Sequence, residues 1–176
     1  PSSAAIDFGV QPLSYPSGVV SSLMRRDKLL HKVLTEMQQP LRTHAFYRGG
    51  DMLELLADRR LEGGIFGDVP TIKAAASASV WIVGLVEQVS TGIVTKGHKT
   101  VEDLVGRRIG YVDGSTAHHT LLQGLSSAGI DGSKVKLVGM RVDAMPDALE
   151  RGSIDAFAGW DPATTMSLRQ SKENQV

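Results

Sequence analysis

Apolar and polar positions fall in blocks along the chain, and their period changes from block to block. Ala5–Val10 is a short apolar run ended by Gln11-Pro12 and the turn-rich Ser14-Tyr15-Pro16-Ser17-Gly18, which predicts a first strand. Val19, Leu23, Leu30 and Leu34 then recur at helical spacing until Gln38-Gln39-Pro40 stops them. Arg42–Tyr47 reads as a second strand, and Met52, Leu55 and Leu56 give an i, i+3, i+4 helical face. Gly64–Gly67 reads as a short strand. Asp68-Val69-Pro70 then opens an alanine-rich helix, with Asp68 as the expected N-cap and Pro70 in the tolerant first turn. Val80–Val86 is apolar throughout, as in a strand covered on both faces. Thr91–Thr95 predicts another strand.

The pattern then restarts. Thr100-Val101-Glu102-Asp103 has the form of a capping box for one helical turn closed by Gly106. Arg108–Val112 predicts a strand, and Gly114-Ser115 leads into a helix with Ala117, Leu121, Leu125 and Ala128 on one face. Val135–Val138 is the next strand, Asp143 the expected cap of a helix ending at Gly152, Ile154–Gly159 the last strand, and Pro162 the start of a final helix. Strands alternating with helices imply an α/β fold with mostly parallel sheets flanked by helices. A weak internal repeat lays Gly63–Pro70 on Asp155–Pro162, with Arg59 matching Arg151. Any α/β unit reuses this grammar, so the repeat by itself only suggests two similar lobes, 1–93 and 94–176.

Composition narrows the function classes. The 176 residues are 41% hydrophobic and 22% charged, normal for a globular protein. Nineteen basic residues balance nineteen acidic ones, so no global field points to nucleic acid or an anionic membrane. The longest apolar stretches, Val80–Val86 and Ile154–Trp160, the latter interrupted by Asp155, are far too short to span a bilayer. Pro1–Ile6 has none of the parts of a secretory signal, so the start reads as a trimmed mature end or a cut boundary. Cysteine is absent, which removes disulfides, thiolate metal sites and cysteine nucleophiles.

Six stretches in order carry a resemblance. They are Ile6–Gln11; Met52–Ala57 leading to Phe66-Gly67-Asp68-Val69-Pro70; Thr100–Gly110; Gly114-Ser115-Thr116-Ala117-His118; Ala148–Ala156; and Trp160-Asp161-Pro162. In this order the chain resembles the extracytoplasmic solute-binding proteins of ATP-driven sulfonate, nitrate and taurine importers, a group that includes relatives of thiamine-precursor proteins. The resemblance implies a two-lobed type II periplasmic-binding-protein fold and a location in the periplasm, or outside the cell on a membrane anchor. It also implies a small anionic or zwitterionic ligand and a membrane permease as partner, with no cofactor and no nucleic acid. Arg60 and Gly63 stand where the family usually has glycine and aspartate, whereas the second copy keeps Gly152 and Asp155; Arg25-Arg26-Asp27-Lys28 replaces a glycine-rich helix end. Family chains also continue beyond the Trp-acidic-Pro element, so the first lobe is expected to be incomplete.

The chemistry expected at such a site is simple. A helix N-terminus offers unpaired N–H groups and about half a positive charge, so it attracts oxyanions without a formal cation. Ser115 and Thr116 follow a strand and a glycine turn directly; plain N-capping by Ser115 is the alternative. His118 falls at N3, either as a neutral donor toward a ligand or as a packed surface histidine. Gly67 and Asp68 occupy the matching strand end of the first lobe, where capping alone accounts for Asp68. Trp160 at a strand end could wall a ligand or fill the core. Gln11 and Tyr15 are candidates on family grounds, and Glu87, after the Val80–Val86 run, could meet a ligand amine. No phosphate loop, nucleophile elbow or metal cluster is present in the sequence, so no residue is assigned a catalytic or metal-binding role. Two alternatives stay open: an enzyme related to thiamine-pyrimidine synthesis, and the effector domain of a regulator, which would need an upstream helix-turn-helix.

Overall fold

The alternation of Ile6, Phe8 and Val10 makes Ile6–Val10 strand β1, from which the first sheet grows. The computed structural model describes residues 5–97 and 100–176. Contacts divide the chain into two units, Pro1–Gln88 and Val89–Val176; the expected boundary at 93/94 falls inside a strand of the second.

In the first unit, helices α1 (Ser17–Arg26) and α2 (Lys28–Glu36) replace the single expected helix. The break is at Asp27, which is extended and whose carboxylate accepts from the N–H groups of Leu29 at 2.9 Å and Leu30 at 3.0 Å. An Asp in that position caps a new helix more favourably than it continues an old one. Strand β2 is Leu41–Ala45, and a 3-10 turn at Gly49–Met52 leads into α3, Leu53–Ala57. β3 is only Gly63–Gly64, shorter than expected, and α4 is Asp68–Ser77. The sheet is wholly parallel in the order β2-β1-β3, with Ile6 opposite Leu41 and Phe8 opposite Gly63. Gly9 lets Met52 close onto β1: a Cβ there would stand 2.3 Å from the Met52 sulfur.

Two expectations fail in this unit. Asp68 is not the N-cap of α4; Gly67 is, and Asp68 is the first helical residue, its carboxylate accepting from the Val69 N–H at 2.7 Å. Val80–Val86 forms no strand, and Trp81 is 89% and Val83 98% exposed. A strand needs a neighbour for its N–H and C=O groups, and no described strand pairs with this run. Apolar faces are open elsewhere too: α2 buries no residue, and Leu23, Leu29 and Ile72 are exposed.

The second unit carries both core clusters found among the described residues. Its elements are β4 (Thr91–Lys96), a 3-10 turn at Glu102–Leu104, β5 (Arg108–Tyr111), α5 (Thr116–Ser127) and β6 (Lys136–Gly139). Then follow α6 (Met145–Glu150), β7 (Ala156–Trp160), α7 (Ala163–Gln170) and β8 (Asn174–Gln175). The five-stranded sheet has the order β6-β5-β7-β4-β8. β5 is parallel to β6 and β7, while β4 is antiparallel to β7 and β8. The expected capping box survives in part, the Thr100 N–H donating to Asp103 at 3.1 Å, and Gly106 closes the turn at φ +77°. Asp143 does not cap α6; it lies in a 3-10 turn and pairs with Arg141, while α6 begins at Met145.

β7 shows why this unit is well packed. Its side chains alternate, so Ala156 and Ala158 face the α5 layer with Leu121 and Leu125, while Phe157 faces the α6 and α7 layer with Met145 and Leu149. A strand buried on both faces has to be apolar at every position, as this one is.

Candidate functional site

β5 ends at Tyr111, and the chain turns through Val112, Asp113 and Gly114, with Gly114 at φ +68°, a conformation that favours glycine. Ser115 is the N-cap of α5, as expected. Its Oγ accepts from the His118 N–H at 3.1 Å and donates to the Val112 carbonyl at 2.7 Å. The hydroxyl hydrogen is therefore committed within the turn and is not aimed outward. The Ala117 N–H, one residue before His118, has no partner among the described residues, and Ala117 itself is fully buried against the core. Thr116 starts the helix, and its carbonyl accepts from Thr120 Oγ1 at 3.1 Å.

His118 sits at N3. Its Nδ1 receives the Gly114 N–H at 3.2 Å, and Asp113 Oδ1 stands 3.5 Å from the same nitrogen. Tyr111 packs on the ring with centroids 4.5 Å apart and planes tilted by 59°. Trp160 ends β7 half-buried and packs against both core clusters, so much of the indole is core. Thr91, opposite Trp160 across the sheet, shares a 2.8 Å hydroxyl–hydroxyl hydrogen bond with Thr120. Ser115, Thr116, His118 and Trp160 thus gather at the carboxyl ends of β5 and β7, the end where open parallel sheets hold ligands. Tyr111, Asp113 and Thr91 join them without having been singled out from sequence. For Tyr111 a usable signal existed, because it is the last strand residue before the glycine turn.

In the first unit, Gln11 follows β1, is 9% exposed, and donates from Nε2 to the Ile65 carbonyl at 3.1 Å. This ties the end of β1 to the segment after β3. Gly67 and Asp68 start α4 beyond β3, at the same end of that sheet, and Thr71 Oγ1 donates to the Gly67 carbonyl at 2.8 Å. Tyr15 lies exposed in the turn before α1. Glu87 is exposed and, since Val80–Val86 is no strand, stands at no strand end.

Charge collects at the opposite, amino ends of the strands. Arg108 grips Asp155 with Nε at 3.0 Å and Nη2 at 2.9 Å, and its own N–H adds a third contact at 2.8 Å. These hydrogen bonds from Arg108 hold the Asp155 carboxyl down to about 2. In the first unit Asp7 receives Arg42 Nε at 2.9 Å and lies 2.6 Å from His44 Nε2, and those two bonds hold its carboxyl below the usual range. Asp161 is lowered likewise by the hydroxyls of Thr164 and Thr165, which it receives at the start of α7. All three carboxylates have structural partners at hand. Among the described residues no group of three or more potential ligands could hold a metal ion, and no helix is long and apolar enough to cross a membrane.

An Escherichia coli K12 protein named for aliphatic sulfonate binding is 29% identical over 90% of this chain and 51% of its own length. The taurine-binding periplasmic protein of the same organism is 31% identical over 72% of this chain and 41% of its own. The alkanesulfonate-binding protein of Xanthomonas axonopodis pv. citri, solved bound to MOPS, superposes with a TM-score of 0.73 at 27% identity, covering 98% of this chain and 59% of that one. The chain therefore spans about half the length of these relatives. The NMT1/THI5-like family matches residues 68–175, more than half of the chain, and to that family the chain belongs.

Proposed function

We propose that this chain is the ligand-capturing part of an extracytoplasmic solute-binding protein that takes a small sulfonate-class anion or zwitterion and delivers it to the permease of an ATP-driven importer. The observation that carries this reading is the position of the α5 helix start, directly after the end of β5 and the Gly114 turn, with the partly exposed His118 imidazole in its first turn. Relatives named for sulfonate and taurine binding supply the ligand class. A sulfonate keeps its charge at every physiological pH and spreads it over three oxygens, so it suits several backbone donors and the positive end of a helix dipole. Trp160 provides an apolar wall that strengthens those bonds by excluding water. We place the protein outside the cytoplasm, in the periplasm or on a membrane anchor.

The test is thermal unfolding of the chain with taurine, ethanesulfonate, nitrate and sulfate in parallel. A ligand that binds only the folded state at a hundredfold excess over its Kd adds about 2.7 kcal/mol of stability. A rise in Tm with a sulfonate is the expected outcome. A chain that no member of the panel stabilises would refute the reading.

A further inference from the structure

We propose that His118, in its neutral form, is a positioning residue: through Nδ1 it holds the Gly114-Ser115 turn in the shape that presents the α5 helix start, so that binding weakens when the ring is protonated. The proposal rests on reading that helix start as the anion site. The first step is a matter of donors. A backbone N–H can only donate, so the Nδ1 that lies 3.2 Å from the Gly114 nitrogen presents its lone pair. The proton of the neutral ring is therefore on Nε2.

The second step is mechanical. The backbone N–H of His118 donates to Ser115 Oγ while its side chain accepts from Gly114. One residue thus secures two consecutive residues of the turn, as a capping box does, but with the side-chain bond moved one position outward. Gly114 is in the left-handed region at φ +68°, a geometry that the hydrogen bond helps to hold. The Tyr111 ring lies against the imidazole and limits its rotation.

Protonation undoes this arrangement. Two donors, Nδ1–H and the Gly114 N–H, would then face each other. The alternative partner is the Asp113 carboxylate, 3.5 Å from the same Nδ1, so an Nδ1–H pairs with Asp113 and the Gly114 N–H loses its acceptor. Asp113 and Tyr111 are the titratable groups recorded against the ring among the described residues. An imidazolium would also attract an anion directly. That effect has the opposite sign, and with the His118 side chain 19% exposed solvent screens it only in part. The sign of the pH dependence therefore separates the two roles.

The experiment uses the full chain. Nitrogen NMR of the imidazole at pH 8, without ligand, should show the proton on Nε2, and the Gly114 amide signal should follow the His118 titration on acidification. Calorimetry with taurine should show affinity falling about three- to tenfold between pH 8 and pH 5, the weight of one lost hydrogen bond. His118→Ala should lose affinity at pH 8. His118→Asn, whose carbonyl can accept from Gly114, should recover most of that loss and flatten the pH profile. A proton on Nδ1 at pH 8, affinity that rises on acidification, or an Asn variant no better than Ala would each overturn the proposal. If taurine does not bind at all, the reading of the anion site fails, and the ligand-free spectrum still decides the role of His118.

Discussion

Single residues behave here according to which hydrogen-bonding capacity remains free. Ser115 was legible as an N-cap, and it is one, yet its hydrogen goes to Val112 and not outward. Sequence spacing identifies an acceptor for the N3 amide but not the second partner, because Val112 is brought under the hydroxyl only by the left-handed turn at Gly114. The Arg108–Asp155 pair carries a pH-dependent part of the stability. Asp155 is held at about 2 against an ordinary 3.8, so its contribution is present above about pH 4 and disappears as the pH falls toward 2. Arg108 is 43% exposed, so solvent screening reduces that contribution to about 1 kcal/mol. Asp155→Asn should therefore lower stability by about 1 kcal/mol at neutral pH and by almost nothing at pH 2, as urea unfolding at the two pH values would measure.

At the scale of the element, β7 and β4 teach different lessons. The run Ile154–Gly159 was readable as a buried strand because every position but Asp155 is apolar, and β7, which begins after Asp155, is covered on both faces. Phe157 is fully buried between β7 and the α6 and α7 layer. Phe157→Ala leaves a cavity there and should cost about 3–5 kcal/mol in chemical unfolding, whereas a change below 1 kcal/mol would mean the layer collapses into the space. Strand β4 was also foreseen, but its antiparallel direction was not, since direction depends on which neighbours the chain reaches. The Val80–Val86 run has the composition of β7 without its fate. Composition allows a strand, but hydrogen-bonding neighbours make one, and none is described for this run.

The two units differ as wholes. Every strand pairing of the second sheet lies between Thr91 and Gln175, and both core clusters lie there as well. The first unit has a three-stranded sheet and leaves Trp81, Ile82, Val83 and Leu85 exposed. Residues 89–176 expressed alone should therefore fold cooperatively, with amide protection in β5 and β7 equal to that in the full chain. An unfolded fragment would show that the second unit depends on the first in a way its own sheet does not reveal.

The sequence by itself determined the α/β class, the capped start of α5, the buried strands of the second unit and the family, because each is written in local period, turn residues and motif order. It also placed Ser115, Thr116, His118 and Trp160 near strand ends, since a strand followed by a glycine turn and a helix leaves few other places for them. Only the tertiary structure decided what their atoms face: Gly114 and Asp113 against His118, Val112 against Ser115, both core clusters against Trp160. It also decided that Asp27 starts a helix, that β4 runs antiparallel and that Val80–Val86 stays unpaired. The reason is common to all of these. Periodicity records which residues prefer to be buried, whereas hydrogen-bond partners and strand neighbours come from chain segments far away in sequence, whose approach no local pattern encodes.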